Sequence, residues 1–243
     1  MRQDKINAGQ GIWCLLGEPL TTAQIALGGI GWITLDQQHG AFDDAATIAT
    51  ISLLNGLPER PRIAVRIAEL GTTPVGRALD AGAEIVIVPM IETVEHARQL
   101  VRAAHHPPLG QRSWGSLVGL WGAQPVANSQ LEVWAMIETA TGLANVEQIL
   151  AVEGITGVLV GPLDLALSLG TRIDALISLA GPADPLPSLA AAAAAAGKKA
   201  AIFAGTPERA TAVRAMGFEF IAVSTDTGVI AEGLGTVLPT PTQ

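Results

Sequence analysis

Eight short apolar runs recur along the chain: GIWCLL (11–16), GWITLD (31–36), RIAVRI (62–67), EIVIVP (84–89), VWAMIE (133–138), GVLVGP (157–162), KAAIFA (199–204) and EFIAVST (219–225). They are nearly continuously apolar rather than alternating, the pattern of strands covered on both faces. Longer helical segments lie between them: TTAQIALGG, DDAATIATISLLNG, TPVGRALDAG, TVEHARQLVRAA, TGLANVEQILA, LPSLAAAAAAAG and TPERATAVRAMG. Several open on Thr, Asp or Ser and stop at Gly, as capped helices do. The alanine-rich run needs no special role, since alanine is the best helix former and lets a helix lie close to a sheet. Eight strands alternating with helices predict an α/β chain folded as one (β/α)8 TIM barrel spanning 1–243, with a disordered tail near 236–243. A doubly wound open sheet is the alternative. It usually carries a glycine-rich turn after its first strand, whereas this strand ends CLLGEPL and no GxGxxG or GxxxxGK[ST] occurs.

Composition narrows the setting. Of 243 residues, 49% are hydrophobic and only 15% charged, ample for a full core. A net charge of −8 argues against nucleic acid and anionic membrane surfaces as partners. The polar start MRQDKINAGQ has no apolar signal region, and no run approaches the ~18 residues of a membrane span. The single Cys14 excludes an internal disulfide and fits a reducing cytoplasm, with a buried strand position as its ordinary role.

Barrels of this kind carry their active sites at the carboxyl ends of the strands. There the second strand delivers Asp36, Gln38 and His39, the third Arg66, the fifth Glu138, the sixth Asp164, and the eighth Ser224 and Asp226. Singly, each has a plain reading: Glu138 and Asp164 as acids at helix starts, Arg66 as one half of a structural ion pair, His39 as a rim histidine. His105 and His106 read as complements to a helix end, His96 as a solvated mid-helix residue. Their convergence on one rim is what favours chemistry. The lysines are Lys5, Lys198 and Lys199, none placed at that rim, so a Schiff-base mechanism has no nucleophile. Two carboxylates without a histidine or thiolate cluster suit a hard divalent cation such as Mg²⁺ or Mn²⁺.

At these residues the chain resembles the HpcH/HpaI aldolase family, metal-dependent pyruvate aldolases distantly related to the citrate lyase β subunit. LDQQHGAFD is similar to the family's Asp-x-Glu-His segment, and AVRI carries its strand-three arginine. RALDAGAEIVIVPMIETVEHARQLVRAAHHPPLGQRSWG is very similar to the longest signature, and MIETATGLANVEQILAVEGITGVLVGPLDLALSLG to the metal-binding half. The resemblance covers roughly residues 5–235.

It implies a class II aldolase: reversible cleavage of 4-hydroxy-2-oxo acids to pyruvate or hydroxypyruvate and an aldehyde. Glu138 and Asp164 would ligate Mg²⁺, Mn²⁺ or Co²⁺, and Arg66 would contact the keto oxygen. Backbone N–H groups at Leu163 and Asp164, after Gly161, would hold the carboxylate. His39 would carry the proton, paired with Asp80, with a metal hydroxide as the other candidate base. The last helix would exchange between subunits, and dimers would group into hexamers. Gln38, Met136, Leu163 and Ser113 depart from common family residues. A CoA-thioester lyase of the malyl-CoA or citryl-CoA type and a non-catalytic 2-oxo-acid-binding barrel are the competing readings.

Overall fold

The computed structural model describes residues 9–115 and 130–238; part of the long interval 90–132 therefore lies outside the described residues. All eight runs are strands: β1 Gln10–Cys14, β2 Trp32–Asp36, β3 Arg62–Arg66, β4 Ile85–Val88, β5 Glu132–Ile137, β6 Gly157–Val160, β7 Lys199–Phe203 and β8 Phe220–Thr225. All are parallel and close into a barrel in chain order, with β8 returning to pair with β1. The helices are α1 Pro19–Ala26, α2 Asp44–Asn55, α3 Thr72–Ala81, α4 Val94–Ala104, α5 Ala140–Ala144, α6 Val146–Leu150, α7 Pro162–Ser168, α8 Ile173–Ser178, α9 Pro185–Ala195, α10 Pro207–Ala215 and α11 Asp226–Val237.

Three local features differ from the sequence expectation. TGLANVEQILA is two helices rather than one, broken at Asn145. The short α7 and α8 precede α9; at seven and six residues they are too brief for a clear period. The last helix runs through Val237, past the point where a tail was expected to begin, and 239–243 lie outside the described residues. Among the described residues, no helix is long and apolar enough to cross a membrane.

The two-residue period of each strand sorts its side chains into two cores. Ile12, Cys14, Ile33, Leu35, Val86 and Val88 belong to the layer between barrel and helices. Trp13, Trp32, Ala64, Ile85, Ile87, Trp134, Met136, Leu159, Ala201 and Ala222 fill the barrel itself. Large and small residues alternate inside: a Cβ on Gly157 would stand 3.1 Å from the Trp134 ring, and one on Gly11 would collide with Trp32. Glu132, Trp134, Met136 and Glu138 occupy every second position along β5, so the inward register that packs Trp134 also sends Glu138 to the barrel mouth. Trp32 and Asp36 obey the same rule on β2, and Ala64 and Arg66 on β3.

Candidate active site

Arg66 and Asp36 are partners across the β2–β3 register. Arg66 is 6% exposed and Asp36 fully buried. Arg66 Nε donates to Asp36 Oδ1 at 2.9 Å, and Nη2 donates to Oδ2. Trp13 Nε1 donates to the same carboxylate at 3.0 Å, as do the backbone N–H groups of Gln38 and His39 at 2.9 and 3.2 Å. Burial pushes the Asp36 carboxyl up, but the Arg66 pairing and these further donors outweigh it and hold it below the usual range. Among the described residues, the acceptor nearest Arg66 Nη1 is the thioether of Met136, at 4.0 Å. One edge of the guanidinium, Nε and Nη2, is thus fixed, and the third nitrogen is left with a weak acceptor.

Glu138 is 3% exposed. Its Oε1 accepts from Met90 N–H at 2.7 Å. Met90 holds φ at 56°, a left-handed conformation uncommon outside glycine. Burial raises the Glu138 carboxyl above its ordinary value and the Asp164 charge adds to this, against the opposing Met90 hydrogen bond and Arg66 charge. Gly161 lies directly against the second carboxylate oxygen: a Cβ there would stand 2.8 Å from Oε2 and 2.7 Å from Met136 Cε. Asp164 opens α7, whose first-turn amides have no partner within the helix. A cavity of about 200 Å³ at this mouth is lined by Asp36, His39, Arg66 and Asp164 on its polar side and by Trp13, Leu15, Met136, Leu163 and Phe203 elsewhere.

A profile of the HpcH/HpaI aldolase/citrate lyase family matches residues 10–232. The chain belongs to that family. It is 33% identical to a hydroxypyruvate/pyruvate aldolase of Deinococcus radiodurans across 93% of this chain and 83% of the relative. It is 34% identical to a 4-hydroxy-2-oxovalerate aldolase of Novosphingobium aromaticivorans, across 93% of this chain and 87% of the relative. A crystal structure of a family member from Burkholderia cenocepacia superposes with a TM-score of 0.84 at 27% identity, covering 97% of both chains.

The structure brings His39, Arg66, Gly161, Leu163 and Asp164 to one cavity, with Glu138 against Gly161. Asp80 is not brought there. It sits in the last turn of α3, which runs back toward the amino ends of the strands, and its carboxylate pairs with Arg112 at 2.7 Å. The expected His39–Asp80 pair is therefore not formed within one protomer. Asp226, expected at the rim, is a structural tie: its Oδ2 accepts from Leu15 and Leu16 N–H at 2.8 and 2.9 Å and holds the loop after β1 against the start of α11. Asp36 acquires a role that sequence reading did not give it. Lys198 and Lys199 lie at the amino end of β7, bonded to Ile155 O and Glu132, and Lys5 lies outside the described residues. Cys14 is buried, and burial pushes its thiol far up. His105 is buried with Nε2 3.2 Å from Gly154 O, while His96 stands in the first turn of α4, its Nδ1 accepting from Glu92 N–H at 3.3 Å.

Among the described residues no group of three His, Cys, Asp or Glu side chains gathers to hold a metal. The residues that could hold one are instead a pair of carboxylates, Glu138 and Asp164. Glu138 keeps one oxygen free of the Met90 bond, and the missing side chain of Gly161 leaves space beside that oxygen. Hard oxygen donors with room for water and substrate oxygens fit a hard divalent cation.

Proposed function

We propose that the chain is a class II pyruvate aldolase that cleaves 4-hydroxy-2-oxo acids to pyruvate, or hydroxypyruvate, and an aldehyde, and joins them in reverse. The observation that carries this reading is one cavity that holds the half-committed Arg66 guanidinium and Asp164, with the Glu138 carboxylate against its Gly161 wall and no lysine among its described lining residues. Glu138 and Asp164 would hold a divalent cation, Mg²⁺, Mn²⁺ or Co²⁺. Bound there, such a cation supplies Lewis-acid polarisation of the substrate carbonyl.

Arg66 stands ready to donate from Nη1 to the keto oxygen as it gains charge, and Asp36 keeps the guanidinium from turning away. The first-turn amides at Leu163 and Asp164 would receive the substrate carboxylate, with Gly161 leaving room for it. His39, exposed at the rim, would take the C4 hydroxyl proton. The C3–C4 bond then breaks, the aldehyde departs, and the electron pair passes toward the oxygen held by Arg66.

An assembly of several copies would account for two further features. Asp80 can serve His39 only if the lower rim of one protomer meets the upper rim of another. Of the twelve residues of α11, only Asp226 is buried, while Val229, Ile230 and Leu234 are exposed, a face available to a second copy. A homo-oligomer, a trimer of dimers with exchanged last helices, accommodates both, and a cytoplasmic setting accords with the lone buried thiol. The test is pyruvate release from a 4-hydroxy-2-oxo acid with and without EDTA. A covalent adduct trapped by borohydride with pyruvate would overturn it.

A further inference from the structure

Two neighbouring loops exchange acids at the barrel mouth. The end of β5 sends the Glu138 carboxylate to the loop after β4, where Oε1 accepts from Met90 N–H at 2.7 Å. The same loop sends Glu92 back, and its Oε1 accepts from the Thr139 hydroxyl at 2.7 Å. Thr139 is itself fixed: its Oγ1 accepts from Gly142 N–H at 3.0 Å and caps α5, while its proton goes to Glu92. Further ties hold the loop on either side. Ile91 N–H donates to Met136 O at 3.2 Å, and the Ile91 side chain is buried. Asn145, at the break between α5 and α6, donates from Nδ2 to Glu92 O at 2.8 Å. The backbone of α5 lies so close that a Cβ on Gly142 would stand 2.9 Å from Ile91 O.

Met90 sits inside these ties with φ at 56°. A side chain in that region is kept there by its surroundings and not by its own preference. Its own packing contributes little, since Met90 is 49% exposed. The flanking bonds are what hold it. Its N–H in turn fixes Glu138, engaging one oxygen and leaving the other beside the space at Gly161. We propose that Glu92 and Thr139 are positioning residues for the metal-binding carboxylate: their bond keeps Met90 left-handed, and through the Met90 N–H it sets the direction in which Glu138 presents its free oxygen. This rests on the reading of Glu138 as a metal ligand and adds the residues that aim it.

The probe is Mn²⁺ alone, added to the full chain. Its Kd is measured by calorimetry, the paramagnetic resonance spectrum of the bound ion is recorded, and metal-free melts report stability. Wild type is compared with Glu92→Ala, Glu92→Gln, Thr139→Val, Thr139→Ser and Glu138→Gln. Glu92→Ala and Thr139→Val should each raise the Kd roughly ten-fold or more, as loss of a group that orients a ligand does, and should alter the Mn²⁺ spectrum. Glu92→Gln keeps an acceptor for the Thr139 hydroxyl, and Thr139→Ser keeps the donor, so both should bind as wild type does. The double variant Glu92→Ala/Thr139→Val should bind no more weakly than the weaker single variant, because one bond cannot be lost twice. Glu92→Gln as weak as Glu92→Ala would make the charge of Glu92 the cause and overturn the inference. Wild-type Kd in Glu92→Ala overturns it too, whatever the melting temperature, as do additive losses in the double variant. Failures of the two readings are distinct. If wild type binds Mn²⁺ and Glu138→Gln does not, while Glu92→Ala binds normally, only the positioning role falls; if wild type binds no Mn²⁺, the ligand reading of Glu138 falls and this inference with it.

Discussion

Arg66 is bound to Asp36 through two of its nitrogens and keeps the third turned to the Met136 thioether. The structural ion pair and the proposed catalytic donor are thus the same side chain. Arg66→Ala should lower turnover about 10²–10³-fold, as loss of one oxyanion donor does. It should also cost about 3–5 kcal/mol of stability, because Asp36 is left buried and unpaired. The double variant Asp36→Asn/Arg66→Met separates the two roles. It should recover much of the stability and none of the activity, read from denaturant melts and pyruvate release.

The same pair fixes an acid limit. The Asp36 carboxyl lies below its ordinary value in the fold. Its stabilising contribution is therefore full above the unfolded pKa of about 3.9 and fades as pH falls through the lower folded value. Between pH 4 and 2, wild type should lose stability more steeply than Asp36→Asn, although the variant starts from a lower value near neutrality. Parallel curves would show that Asp36 is not ionised in the fold.

Gly161 tests the carboxylate pocket. A methyl group there would stand 2.8 Å from Glu138 Oε2 and 2.7 Å from Met136 Cε. Gly161→Ala should destabilise by about 1–3 kcal/mol through overpacking. It should also weaken Mn²⁺ binding in calorimetry at least ten-fold. Glu138→Gln should abolish that binding with a smaller effect on stability, since the neutral amide keeps an acceptor for Met90 N–H. Wild-type Mn²⁺ affinity in both variants would remove Glu138 from the metal site.

How far the sequence led depended on what each feature needs. The eight strands were legible because each is covered on both faces and so nearly continuously apolar. The inward alternation of Trp134, Met136 and Glu138 was present in the letters, but it became visible only once Trp134 was known to fill the barrel. Asp36 was seen as a rim acid, whereas its pairing with Arg66 is a property of the β2–β3 register. The Met90 bond to Glu138 depends on a left-handed residue with no sequence signal, and the edge-to-face contact of Trp13 with Phe203 joins residues 190 positions apart that only the closed barrel brings together. The place of Asp80 in its own protomer was legible. It lies two residues before Gly82, which ends α3 in a left-handed conformation, and a helix end in this barrel is at the wrong rim for His39.

The exposed face of α11 gives a prediction about assembly. Ile230→Asp together with Leu234→Asp places two charges on a face that carries exposed apolar residues in the protomer. Light scattering should then report smaller particles than wild type. The barrel itself should melt at a similar temperature, because these side chains are not core. An unchanged mass would mean that this face covers no partner.

Asp80 and His39 provide the last prediction. In one protomer the two stand at opposite ends of the barrel, so a functional pair requires two subunits. His39→Ala should strongly depress cleavage of 4-hydroxy-2-oxo acids while sparing oxaloacetate decarboxylation, which needs no proton removed from a C4 hydroxyl. Asp80→Asn should show the same split if it orients His39 across an interface. It also leaves Arg112, whose side chain is 4% exposed, without its carboxylate, so a melting curve must accompany the rates. A fall in both activities together with stability would mark Asp80 as structural. The decisive measurement mixes the two variants by co-expression. If the pair is shared between subunits, some sites in the mixed assembly carry both wild-type residues, and cleavage should return to a fraction of the wild-type rate. If the residues act within one chain, or not together at all, the mixture should remain as inactive as its parts.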